Sequence, residues 1–153
     1  MEKLKEDIIQ FFKRQNFVIV STIDKDGSAH NSCKGILTID NKDLIYLLDL
    51  YKGRTCANIE ANSHISITAV EEHKFKGYCL KGKAKKMEKD KLSPALLKMW
   101  EDKISGRIAH RLIKNIHGEI GHDKHPESNL PEPEYCIIMR VEKIVDLTPK
   151  NIK

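Results

Sequence analysis

A mainly β fold, a small six-stranded antiparallel barrel with flanking helices, is predicted for this 153-residue chain. Two observations predict it. Six segments carry the β-branched or alternating pattern of strands, and short turns join most of them into hairpins. Helical periodicity is confined to the first residues, one short central stretch and one long segment. Many hairpins with few helices suit a sheet that closes on itself.

The elements follow in order. Residues 3–15 fit an amphipathic helix, because Leu4, Ile8, Phe11 and Phe12 fall on one stripe among charged neighbours. "NFVIVSTI" reads as a strand, and "DKDGS" is a hairpin signal in which Gly27 can take positive φ. "AHNSCKGILTI" is the second strand, unusually polar in its first half. "DNKD" turns the chain into "LIYLL", which is apolar on both faces and so central. A short helix is expected from about Thr55 to Ala61. "HISITAV" and "GYCLKGKAKKM" form the next strand pair, joined by "EEHKFK". Period-two alternation puts Cys79, Lys81, Lys83 and Lys85 on one face of the second, and Tyr78, Leu80, Gly82 and Ala84 on the other.

Residues 90–116 are largely helical, with Leu92, Leu96, Trp100, Ile104, Ile108 and Leu112 at near-helical spacing. Pro94 suits the first turn, and Gly106 is a point where this helix could divide. Trp100 is read as helix-face core. Residues 117–134 form a polar loop with three prolines, long for a compact domain. "YCIIMRVEKIVDL" is the final strand. No repeat, low-complexity segment or linker interrupts the chain, so residues 1–153 are expected to form one domain.

Composition narrows the function classes. Hydrophobic residues make up 40% and charged residues 32%, which is globular rather than disordered. The net charge of +5 suits an anionic ligand or a nucleic acid without choosing between them. Cys33, Cys56, Cys79 and Cys136 form no C-x-x-C pair and are read as reduced thiols. The charged N-terminus is no signal peptide, and no apolar run reaches the ~18 residues of a membrane span. A cytoplasmic protein is expected.

The stretch "YKGRTCANIEANSHISI" carries the sharpest chemical signal. Lys52, Arg54 and Thr55 stand just before or at the start of the short helix, directly after an apolar strand. A helix N-terminus offers unpaired N–H groups and partial positive charge. Two cations and a hydroxyl added there make a phosphate cradle. Arg54 offers a planar fork to phosphate oxygens, and Thr55 is expected to act as both helix N-cap and phosphate donor.

Taken together, "FVIVSTIDKDGSAHNSCKG", "LIYLLDLYKGRTCANIEANSHISIT" and "GYCLKGKAKKM" resemble the FMN-binding split-barrel family, which includes the pyridoxamine 5'-phosphate oxidases and small bacterial FMN-binding proteins. The resemblance covers residues about 10–88 and implies a six-stranded split barrel. It implies that Lys52, Arg54 and Thr55, with Asn58 one turn later, hold the flavin phosphate. His30, Asn31, Ser32, Cys33 and Lys34 would line the isoalloxazine edge, and Leu48 and Asp49 would pass close to the ring. A cation such as Lys34 near the pyrimidine side would favour anionic reduced flavin, while the Asp49 side chain is expected to point away. The resemblance further implies a homodimer with the flavin at the interface, and electron transfer from reduced nicotinamide or a protein donor to a small acceptor. Some relatives use a deazaflavin and others bind haem. "MRVEKIVDLTP" does not reproduce the Arg-containing substrate signature of the true pyridoxamine phosphate oxidases, so that substrate is not carried over.

The sequence admits three other readings. A flavin store or redox partner without catalysis would have the same cofactor residues. Lys74, Lys76, Lys81, Lys83, Lys85, Lys86, Lys89 and Lys91 could track a nucleic-acid backbone, but only Phe75 and Tyr78 interleave, so base stacking is poorly supplied. Those lysines are read as a solvated face. His117, His122 and His125, with Glu119 and Asp123, have metal-ligand chemistry but no strong metal spacing, and are read as a solvated loop.

Overall fold

A computed structural model of the chain describes residues 3–118 and 134–152. Its elements are α1 (Glu6–Lys13), β1 (Val18–Ile23), β2 (Ala29–Ile39), β3 (Leu44–Leu48), α2 (Arg54–Ala61), β4 (His64–Glu71), β5 (Lys76–Glu88), α3 (Pro94–Ile116) and β6 (Tyr135–Asp146). The six strands close into a barrel in the order β1-β2-β3-β6-β5-β4. Every neighbouring pair is antiparallel.

Alternation along the strands fills the barrel. Val18, Val20 and Thr22 of β1 point inward and are buried, while Ile19 and Ile23 are exposed. Ile45, Leu47, Ile67, Leu80, Ile137 and Met139 meet them with essentially no exposed surface. The amphipathic α1 adds Ile8, Phe11 and Phe12 to this core. Phe11 meets the ring of Phe12 at 5.4 Å and that of Tyr78 at 5.2 Å, both edge-on. Each such ring contributes roughly 1.5–3 kcal/mol through burial.

The β1–β2 turn closes through Asp24 N–H to Ser28 O and Gly27 N–H to Asp24 O, both at 2.9 Å. Gly27 has φ +85°, where a Cβ would be strained. On β5 the alternation is as expected, with Lys81, Lys83 and Lys85 exposed and Tyr78, Leu80, Gly82 and Ala84 buried.

Four expectations change. The first helix is shorter than 3–15, beginning after Lys5 and ending before Arg14. α2 begins at Arg54 with Gly53 as its N-cap, so Thr55 lies inside the first turn and is not the cap. α3 runs unbroken through Gly106 from a Ser93 cap, whose Oγ accepts from Leu96 N–H at 3.3 Å. No α3 residue is fully buried, so Trp100 is half-buried and not core. α3 lies along one side of a barrel that is already filled, which leaves it one shallow contact stripe. His122, His125, Glu119 and Asp123 lie outside the described residues.

Candidate functional site

The turn from β3 into α2 brings a polar cluster against the end of β1 and the start of β2. Gly53 N–H bonds Tyr51 O at 2.6 Å, and the next backbone donors are Cys56 and Ala57, both to Gly53 O. The N–H groups of Arg54 and Thr55 therefore precede the intrahelical ladder, as first-turn donors do. Thr55 is buried, and its Oγ1 lies 3.0 Å from Ser32 Oγ on β2. Arg54 is largely exposed and approaches Asp24 Oδ2 at 3.4 Å. Asn58 is buried and donates to Thr22 Oγ1 at 3.0 Å and Asp24 Oδ1 at 2.7 Å. Its amide thus fixes the helix to the β1–β2 corner. Lys52 pairs with Glu134 at 3.1 Å on the surface.

A cleft of about 370 Å³ opens beside the middle of β2 and the end of β3. Cys33, Lys34, Gly35, Leu48 and Asp49 form one wall, and Ile104, Arg107 and Arg111 of α3 form the other. The α3 wall is anchored to the barrel. Lys103 Nζ donates to Ile36 O, and Arg107 Nη2 donates to Asn16 O at 2.6 Å. The Arg107 guanidinium lies 4.6 Å from the Phe17 ring centre. Burial pulls the Lys103 ammonium below its ordinary pKa, with the Arg107 charge adding to the effect.

The cleft's polar centre is a row across three strands. Gly35 pairs with Leu48 and Leu48 with Cys136, so one step outward sets Asp49 between Lys34 and Tyr135. Lys34 Nζ lies 2.7 Å from Asp49 Oδ1, with both side chains nearly buried. Tyr135 Oη donates to Asp49 Oδ2 and reaches Tyr51 O at 3.3 Å. Burial first, then this bond to Asp49, pushes the Tyr135 phenol far above its ordinary pKa. Asp49 therefore does not point away, because the strand register turns it toward Lys34.

The sequence-predicted residues divide between these two places. Ser32, Arg54, Thr55 and Asn58 meet in the turn cluster, whereas Cys33, Lys34 and Leu48 meet in the cleft. Asn31 lies on the opposite face of β2 from Ser32, where its Oδ1 accepts from Ser21 Oγ at 2.6 Å. His30 is half-buried opposite Thr22 and does not line the cleft. Sequence reasoning missed Tyr135, Arg107, Arg111 and Phe17. Arg107 and Arg111 are four apart on one helix, a spacing that could have flagged them.

The donor set fits a flavin phosphate at one end and its ring at the other. Two hydroxyls, a guanidinium and first-turn N–H groups are phosphate chemistry. Leu48, Leu50, Phe17 and Ile104 give the cleft apolar surface for a flat ring, with cations at its edge. Among the described residues no group of three His, Cys, Asp or Glu side chains could hold a metal ion. No helix of the described residues is long and apolar enough to cross a membrane.

Residues 4–128 match the model of the family described as pyridoxamine 5'-phosphate oxidase. No curated protein matches the chain. Among solved structures, Group A Streptococcus HupZ is 18% identical with a TM-score of 0.63, over 95% of each chain. A Clostridium acetobutylicum protein related to general stress protein 26 of B. subtilis (pyridoxinephosphate oxidase family) is 18% identical with a TM-score of 0.59, over 98% of this chain and 100% of the other. An F420 reductase is 11% identical with a TM-score of 0.55, over 95% of this chain and 98% of the other. At these identities the likeness is one of fold.

Proposed function

This chain belongs to the pyridoxamine 5'-phosphate oxidase family, and from that premise we propose that it holds FMN and passes electrons from a reduced nicotinamide or protein donor to a small acceptor. Family membership supports a flavin-binding, oxidoreductase-type function in general. One observation carries the finer reading. Ser32 and Lys34 lie on the same face of β2, two residues and about 7 Å apart. Ser32 belongs to the turn cluster through Thr55, and Lys34 belongs to the cleft. A ligand with phosphate at one end and a planar ring at the other spans that arrangement.

In this reading Arg54, the Thr55 and Ser32 hydroxyls and the α2 N–H groups bind phosphate. Lys52 adds long-range attraction from the surface. Leu48, Phe17 and Ile104 exclude water from the ring, and Lys34 donates at its edge. When bound, FMN supplies the electron chemistry, and the protein supplies position and electrostatics. We place a cover over the mouth of the cleft in a second copy of the chain, because Phe17 and Tyr51 there are 59% and 63% exposed. Residues 1–153 form one flavin-binding domain on this reading.

The visible absorption spectrum of the purified protein, taken before and after incubation with FMN and removal of excess, tests it. Retained bands near ~370 and ~450 nm, the cofactor's own, are the expected result. No retention of FMN contradicts it, and selective retention of a deazaflavin would replace FMN with that cofactor.

A further inference from the structure

Lys34 does not act at the cleft as a lone cation. The β2–β3 register sets Asp49 directly opposite it, and the β3–β6 register sets Tyr135 on the far side of Asp49. Lys34 and Asp49 are 9% and 5% exposed, so water contributes little to solvating either charge. Both oxygens of the carboxylate are engaged, one by Lys34 and the other by Tyr135. Tyr135 is itself 1% exposed. The contrast with the turn cluster is sharp. Arg54 and Lys52 are 67% and 56% exposed and meet their carboxylates at 3.4 and 3.1 Å, so an incoming anion can displace those partners. The Lys34 pair is shorter, drier and held from behind.

We propose that Asp49, fixed by Tyr135, is a positioning residue that holds Lys34 at the cleft wall and cancels its charge, so that the wall presents a hydrogen-bond donor without favouring an anionic reduced ring. This rests on the proposed flavin reading. It also reverses what an isolated Lys34 would do, since an uncompensated cation at that place stabilises negative charge on the ring. The other cations lining the cleft, Arg107 and Arg111, belong to the opposite wall and stay constant across the test.

The experiment measures FMN uptake and the midpoint reduction potential of bound FMN in the wild type, Asp49→Asn, Lys34→Met, the double variant and Tyr135→Phe. Asp49→Asn is expected to raise the potential and Lys34→Met to lower it. The double variant is expected to return close to the wild-type value, because both charges leave together. Tyr135→Phe should move the potential less than either charge variant, since it removes a neutral donor. If the two single variants shift in the same direction, or the double variant departs as far as either single, charge compensation is wrong while the flavin reading stands. If the wild type takes up no FMN, the flavin reading fails and the proposal falls with it. Folding of each variant is checked by its unfolding midpoint. Should Asp49→Asn fail to fold, Asp49→Ser with Lys34→Met carries the same comparison.

Discussion

Lys83 of β5 and Arg140 of β6 stand directly opposite each other in the sheet, and one register step beyond the bulge Lys81 stands opposite Lys143. Like charges in cross-strand positions destabilise a sheet. Lys83→Glu converts one such pair into an attractive one. It is expected to raise stability by roughly 0.2–1 kcal/mol, read as a higher urea midpoint, with the gain shrinking as salt is added. A lower midpoint would mean that this face is stabilised by something other than the exposed sheet. The same face is where a nucleic acid would have to bind, and no retention of oligonucleotide at low salt removes that alternative.

Two glycines predict opposite outcomes. A Cβ at Gly106 meets nothing within 4 Å, and the residue sits in the middle of an unbroken helix. Gly106→Ala is expected to stabilise the protein by about 0.5–1 kcal/mol. At Gly82 a Cβ would overlap Arg140 O, which is backbone in the adjoining strand. Gly82→Ala must displace that strand and is expected to destabilise strongly. Thermal unfolding of the two variants side by side checks both.

Alkaline pH should weaken the fold. Burial pushes the Cys136 thiol from its ordinary 9.0 to about 12, and burial likewise raises the Tyr135 phenol above its ordinary 10.0. Above about pH 9 the unfolded chain releases protons that the folded chain keeps. The unfolded state then binds fewer protons, so stability falls as pH rises. The contribution is fully present below the unfolded values and is lost progressively through the folded ones. Each such group adds up to about 1.4 kcal/mol per pH unit to the slope. Cys136→Ala should make the decline between pH 9 and about 12 shallower. An unchanged slope would show that this thiol ionises freely in the folded protein.

The fold was largely legible because local signals agreed. "AHNSCKGILTI" and "LIYLL" coincide with β2 and β3 to the residue, since Gly27 precedes the first and the "DNKD" turn separates the two. The start of α2 was misplaced because Gly53 caps the helix by backbone conformation, without a side-chain bond. Arg54 and Thr55 of the turn cluster are flagged by their local run, whereas Ser32, Thr22 and Asp24 join them only through the fold. The Lys34–Asp49–Tyr135 row was not legible. Tyr135 and Asp49 are 86 positions apart and meet only through the β3–β6 register. Without that register an acid beside a flavin and its phosphate is unexpected and reads as pointing away, whereas the structure sets Asp49 2.7 Å from Lys34. α3 misled for a related reason. Its apolar spacing signals one buried stripe, but the barrel is already filled, and the stripe stays half-exposed with Trp100 Nε1 lacking a partner among the described residues.

The most direct test of the central claim compares FMN with riboflavin, which differs only by the phosphate, in the wild type and in Arg54→Ala. If Arg54, Thr55 and the start of α2 hold phosphate, the wild type binds FMN far more tightly than riboflavin. Arg54→Ala then loses about 1.5–3 kcal/mol for FMN, roughly 10- to 150-fold in affinity, and little for riboflavin. Equal affinities for the two ligands in the wild type, or an Arg54→Ala variant that binds FMN as the wild type does, would contradict the account.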